Sequence, residues 1–113
     1  MVIRRGEIYW VDFGGARGAE IRKTRPAVVV SNDAHNFHMS TVTVVPLSSA
    51  LVKFRPHEAL IPKGVVGDGR ACRAVTHQIA SVDRGRVGRL LGELPSVLMA
   101  RVDETLRGHL GLD

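Results

Sequence analysis

Five residues, Ala27-Val28-Val29-Val30-Ser31, constrain this chain more than any other stretch. A strand with one wet face alternates apolar and polar side chains, whereas a near-continuous apolar run of strand length is covered on both faces. The chain has 113 residues, room for one domain (residues 1–113) and no second core. The run is therefore expected inside a single sheet with apolar material on either side. The supply is sufficient: 44% of residues are hydrophobic and 24% charged, a balance that argues against disorder.

Around that run, segments rich in β-branched residues recur at short intervals between Gly, Pro and Asn/Asp. Further strands are expected at residues 8–13, 41–47, 58–62, 72–82 and 90–94. Asn32-Asp33 reads as a turn or cap before one helical turn over 34–39, and Asp83 as the cap of a short helix through Val87. Pro46 lacks a backbone donor, which places its end of the strand at a sheet edge or a bulge. Only the last segment reads as a long helix. Leu98, Val102, Leu106 and Leu110 form an apolar stripe, Asp103 and Arg107 an i,i+4 pair on its wet side, and Pro95 and Gly111 suit its two ends. The expected fold class is β-rich α+β, a curled antiparallel sheet with a packed C-terminal helix.

The formal charge is +5, and most of the sixteen basic residues are arginine, whose planar, permanently charged fork suits phosphate. That balance points to a polyanionic partner, nucleic acid or an acidic protein segment, although many small basic proteins bind neither. The single cysteine, Cys72, excludes an internal disulfide and fits a reducing compartment. Arg4 and Arg5 are followed by no apolar run, so no signal peptide is expected, and no stretch approaches the roughly 20 apolar residues of a membrane span. A soluble, cytoplasmic protein is the expectation.

The spacings that carry familiar chemistry are missing. One Cys and five scattered His give no zinc pattern, and there is no phosphate-binding glycine loop, no serine nucleophile elbow and no evident carboxylate pair for a metal-dependent nuclease. An enzyme with this sequence is expected to need no metal or cofactor and to act on a substrate that brings its own nucleophile. RNA does so through its 2′-hydroxyl, which leaves the protein to position the strand and stabilise phosphoryl charge. Arg25 ends a basic loop and abuts Pro26, which biases it to extended backbone anchored by the buried run. Taken alone it reads more readily as a solvated loop arginine, and Ser48 and Ser49 more readily as turn residues after Pro46-Leu47. Lys53, Phe54 and Arg55 set a ring between two cations, equally suited to holding a nucleotide or to an ordinary basic loop. The histidines form no recognisable pair; His77 stands out because Gln78 beside it could read base edges.

Several blocks, taken together, are specific. Arg5-Gly6-Glu7-Ile8-Tyr9-Trp10-Val11-Asp12-Phe13 resembles the opening strand of MazF/PemK toxins. Gly18-Ala19-Glu20 and then Arg25-Pro26-Ala27-Val28-Val29-Val30-Ser31-Asn32-Asp33 resemble that family's central motif, and Thr43-Val44-Val45-Pro46-Leu47-Ser48 its third strand. Gln78-Ile79, Val82-Asp83 and the helical tail continue the pattern over essentially the whole chain. The resemblance implies an SH3-like barrel with helices, a homodimer, and the toxin of a type II toxin–antitoxin system. It implies metal-independent, sequence-specific cleavage of single-stranded RNA by 2′-hydroxyl attack, and a cognate antitoxin with a flexible, acidic segment. The catalytic pair falls on Arg25 and Ser48. Glu20, Asn32 and Gln78 would touch bases or ribose, and Arg17, Lys23, Lys53 and Arg55 the backbone.

The sequence also departs from that pattern. Arg70-Ala71-Cys72 stands where the family often has an acid followed by Ser, Ser48 where it often has Thr, and His77 where several members carry an acid. Rival readings are a topoisomerase-poisoning toxin on the same fold and a non-catalytic RNA- or antitoxin-binding module.

Overall fold

The computed structural model describes residues 1–15, 23–49, 58–67 and 70–112. Its strands are β1 (Glu7–Asp12), β2 (Thr24–Val29), β3 (Thr41–Ser48), β4 (Glu58–Ile61), β5 (Cys72–Val75), β6 (Ala80–Asp83) and β7 (Val87–Glu93). Its helices are α1 (Asp33–His38) and α2 (Ser96–Leu110), with 3-10 turns at Thr76–Gln78 and Arg84–Arg86. The strands pair antiparallel in the order β4-β5-β3-β2-β1-β7, and β6 pairs with β3 beside β5. Among the described residues no pairing joins β6 to β7, so the curled sheet does not close into a ring.

The valine run is covered on both faces, as its sequence requires. Val28 and Val30 join Ile8, Val45 and Leu47 in a core closed by Met99, Val102 and Leu106 of α2. Ala27 and Val29 face the other way, into a second core with Tyr9, Val11, Val42 and Val44 that the curl closes with Val82 and Val87. Alternation along one strand thus feeds two cores within the one domain, where the chain length led to the expectation of a single core.

Four expectations change. The stretch 72–82 is not one strand: β5 and β6 are separated by the turn Thr76–Gln78. Val30 N donates to Thr43 O at 2.9 Å, so odd residues of β3 bond toward β2 and even ones toward β5 and β6. Pro46, an even residue with no N–H, therefore leaves a gap on that side, between the pairs Val44↔Ala80 and Leu47↔Ala74. Proline thus sits inside the sheet, and the irregularity it causes falls on the partner strand.

The α2 stripe also differs. Four-residue steps drift by about 40° each on a helix of 3.6 residues per turn, so Leu98 through Leu110 cannot share one face. Met99, Val102 and Leu106 are the buried residues, and Leu110 is 50% exposed. Asp103 pairs with Arg5, 98 residues away, and not with Arg107.

The capping expectations hold. Asn32 Oδ1 accepts from His35 N at 2.8 Å, Asp83 Oδ1 accepts from Gly85 N at 2.7 Å, and Gly111, left-handed at φ 70°, ends α2.

Candidate active site

Arg25 lies within β2, opposite Val11 of β1, and not at the end of a loop. Its odd position makes its backbone bond toward β1, like Val29, whose carbonyl accepts from Gly6 N at 2.8 Å. The β2–β3 ladder runs Val29↔Val44, Val28↔Val45 and Ala27↔Pro46. It stops there because Pro26, whose N–H would point to β3, has none. Continued two residues, the same register sets Arg25 level with Ser48, in the class of pair that exchanges no backbone bonds. Side chains approach most closely across such pairs, whose Cα atoms are about 4.5 Å apart. Arg25 and Ser48 therefore share one face at the point where two prolines end the ladder.

Cross-strand pairs set Leu60, Arg73 and Ser48 in one row and Arg25, Val11 and Val87 in another; the β2–β3 register, continued past its last pair, aligns the two into one transverse row. Val11 and Val87 belong to the second core, so the polar residues form its rim. Ser48 is 6% exposed.

At this end of the sheet lies a cavity of about 280 Å³, whose Leu47, Val66 and Cys72 belong to the first core. Trp10, Leu47, Val66 and Cys72 supply apolar wall; Lys23, Arg25 and Arg70 supply three cations. Ser49, and not Ser48, lines it. Lys23 holds a left-handed backbone at φ 69°, uncommon for a side-chain-bearing residue. Two hydrogen bonds fix it: Phe13 N to Lys23 O at 3.0 Å and Lys23 N to Gly14 O at 2.9 Å. The site's edge is thus built on constrained backbone.

The other expected residues separate. Gln78 ends the turn Thr76–Gln78 and, with His77, lines a second cavity of about 400 Å³ beside Phe13, Asp83 and Arg86. Asn32 has its side-chain oxygen committed to the α1 cap. Arg17, Glu20, Lys53 and Arg55 lie outside the described residues. Among the described residues no three His, Cys, Asp or Glu side chains gather into a metal-binding group, and no helix is long and apolar enough to cross a membrane. Trp10, Arg70 and Arg73 were not expected. Residues 70–72 drew notice only as a departure, and Trp10 and Arg73 become neighbours of the site only through register.

A small curled sheet whose cleft carries three cations defines a β scaffold suited to a polyanion. The family described as PemK-like, MazF-like toxins of type II toxin–antitoxin systems matches residues 4–110, and the chain belongs to it. It is 39% identical over 116 aligned positions to Endoribonuclease MazF9 of Mycobacterium tuberculosis, covering 98% of each chain. It is 28% identical over 113 positions to Endoribonuclease EndoA of Bacillus subtilis, covering 99% of this chain and 97% of the relative. The crystal structure of MazF from Deinococcus radiodurans superposes with a TM-score of 0.87 at 28% identity, covering 99% of each chain. A MazE–MazF crystal structure from the same organism gives 0.78 at 27% identity, covering all of this chain and 99% of that one.

Proposed function

We propose that this toxin is an endoribonuclease that cuts single-stranded RNA at specific sequences without a metal ion, stopping translation and growth. The observation that carries the reading is a cleft lined by Lys23, Arg25 and Arg70, with Ser48 two register steps beyond the last β2–β3 pair, level with Arg25 when that register is continued. The 2′-oxygen attacks the adjacent phosphorus and loses its proton, the P–O5′ bond breaks, and the departing O5′ gains a proton. The products are a 2′,3′-cyclic phosphate and a 5′-hydroxyl. The guanidinium of Arg25 stabilises negative charge on the phosphoryl oxygens and donates a hydrogen bond toward O5′. Its pKa is too high for it to act as a free base. Ser48 orients the phosphate or the 2′-hydroxyl, and Lys23 holds a neighbouring phosphate. Gln78, in its separate cavity, reads a base away from the scissile bond. Asn32, Glu20, Arg17, Lys53 and Arg55 complete the RNA path. The working unit is a homodimer in the cytoplasm, silenced by an antitoxin whose flexible acidic segment meets the +5 charge; the Deinococcus relative is seen with MazE.

The test is cleavage of a long single-stranded RNA in excess EDTA by the wild type, Arg25→Ala and Ser48→Ala. Discrete fragments with cyclic-phosphate ends from the wild type, and a loss of about 10²–10³-fold in each variant, are expected. Intact RNA in every lane, with or without magnesium, would overturn the reading and favour topoisomerase poisoning or a binding module.

A further inference from the structure

The transverse row continues past Ser48. Arg73 of β5 stands directly opposite Ser48 and also opposite Leu60 of β4. Directly opposed residues share a face, so Arg73 flanks Ser48 on the side away from Arg25. Its Nη1 pairs with Oε2 of Glu58, which stands one row along, opposite Val75. The Glu58 side chain is 1% exposed and that of Arg73 15%. Among the described residues Oε1 of Glu58 has no hydrogen-bond partner.

A buried ion pair is a poor way to stabilise a fold. Removing both charges from water costs several kcal/mol per ion, and apolar residues of similar volume are often as stable or more so. The strands that carry this pair are otherwise built from Ala59, Leu60, Ile61, Cys72, Ala74 and Val75, so an apolar pair would suit them. The pair instead sits next to the one hydroxyl at the centre of the row.

We infer that Arg73 is a second phosphate-binding residue of the catalytic centre, held beside Ser48 by the buried carboxylate of Glu58. The inference rests on the endoribonuclease reading above. Two strand spacings set Arg25 and Arg73 about 10 Å apart at Cα, a distance two guanidinium side chains close onto one phosphate. In-line attack spreads charge over both non-bridging oxygens and the leaving oxygen, and a cation on either side of Ser48 meets that distribution. Arg73 binds phosphate; Glu58 is a positioning residue that fixes the guanidinium fork before RNA arrives.

Four variants test this: the double substitution Glu58→Leu with Arg73→Met, and singly Arg73→Met, Arg73→Lys and Glu58→Gln. Each is measured by thermal melting, by binding to a mixed-sequence 2′-O-methyl RNA across salt concentrations, and by cleavage of the ribose form. The double variant removes both charges at similar volume, so it stays folded even if Arg73→Met alone does not. It is expected to lose about 0.7 from the slope of log affinity against log salt, the share of one phosphate contact on a single strand, and to cleave about 10²–10³-fold more slowly. Arg73→Lys restores the slope but not the rate. Glu58→Gln keeps the slope and lowers kcat about tenfold with KM unchanged or lower, because a negative charge near the phosphate is gone while the fork is loosened. A folded double variant with the wild-type slope and rate overturns the inference. The 2′-O-methyl RNA cannot be cut, so a lost slope in a protein that cuts nothing would sustain the phosphate contact while the nuclease reading falls.

Discussion

Tyr9, the chain's only tyrosine, reports directly on the second core whose rim carries Arg25 and Ser48. It is 2% exposed, and its hydroxyl donates to Oε1 of Glu7 at 2.8 Å and toward the carbonyl of Val2 at 3.3 Å. Burial above all, then the hydrogen bond to Glu7 and its negative charge, push the phenol pKa up to about 12, against a lowering by Arg84. Between pH 10 and 12 the unfolded chain has lost this proton while the folded chain keeps it, so stability falls as pH rises. The contribution is complete below about pH 10 and gone above about pH 12. Two pH units at about 1.36 kcal/mol each amount to roughly 2.7 kcal/mol. With an unfolding entropy of about 2.1 cal/mol/K per residue, this lowers Tm by roughly 10 °C. The assay is thermal melting of the wild type and Tyr9→Phe across that range, with phenolate absorbance followed in the folded protein. Tyr9→Phe loses about 1 kcal/mol at neutral pH from its missing hydrogen bond but escapes the alkaline loss, so the two stability curves cross between about pH 10 and 11. A folded-state phenolate midpoint near 10, or a difference between the two proteins that stays flat with pH, would refute the reasoning.

Other consequences can be checked by denaturation. Asn32→Ala should cost about 1 kcal/mol and Asn32→Gly a few tenths, the pattern of an N-cap; if Asn32 also touches RNA, the glycine variant folds normally but cleaves more slowly. Asn36 is fully buried, with Nδ2 donating to Ser31 O and its carbonyl accepting from Ser31 Oγ, which itself accepts from Thr43 N at 3.0 Å. Asn36→Leu should therefore cost about 2–3 kcal/mol in urea unfolding. A Cβ at Gly92, where φ is 159°, would lie 2.9 Å from Val65 O, so Gly92→Ala should lower stability by about 1–3 kcal/mol; an unchanged Tm would mean that the β7 backbone yields there.

The strands were legible because the valine run and its β-branched neighbours leave few alternatives for burial. What the prolines do was not. Pro46 could be seen to lack a donor, but the gap it opens falls on residues 76–78, and only the register of β3 assigns it there. The Asp103–Arg5 pair spans 98 residues and has no local signature, whereas the i,i+4 pair with Arg107 does. The site divides the same way. Arg25 and Ser48 were named from motifs that resemble a family, and the register then gives a physical reason why they belong together. Arg73 reads in the sequence as one more polar residue in a strand, and its place beside Ser48 follows only from the pairing of β3 with β5. Helix α2 was found from its periodicity, but spacing by fours misplaced Leu110 because a helix does not repeat every four residues.

The first strand pairs with the last: Glu7 faces Glu93, and Arg5 reaches Asp103 on the closing helix. A ribosome making this chain amino end first therefore emits β1 long before its outer neighbour exists. The β1–β2 hairpin can form early, yet the second core stays open until Val87 has left the exit tunnel. A nascent toxin is thus an unfinished tool through most of its own translation.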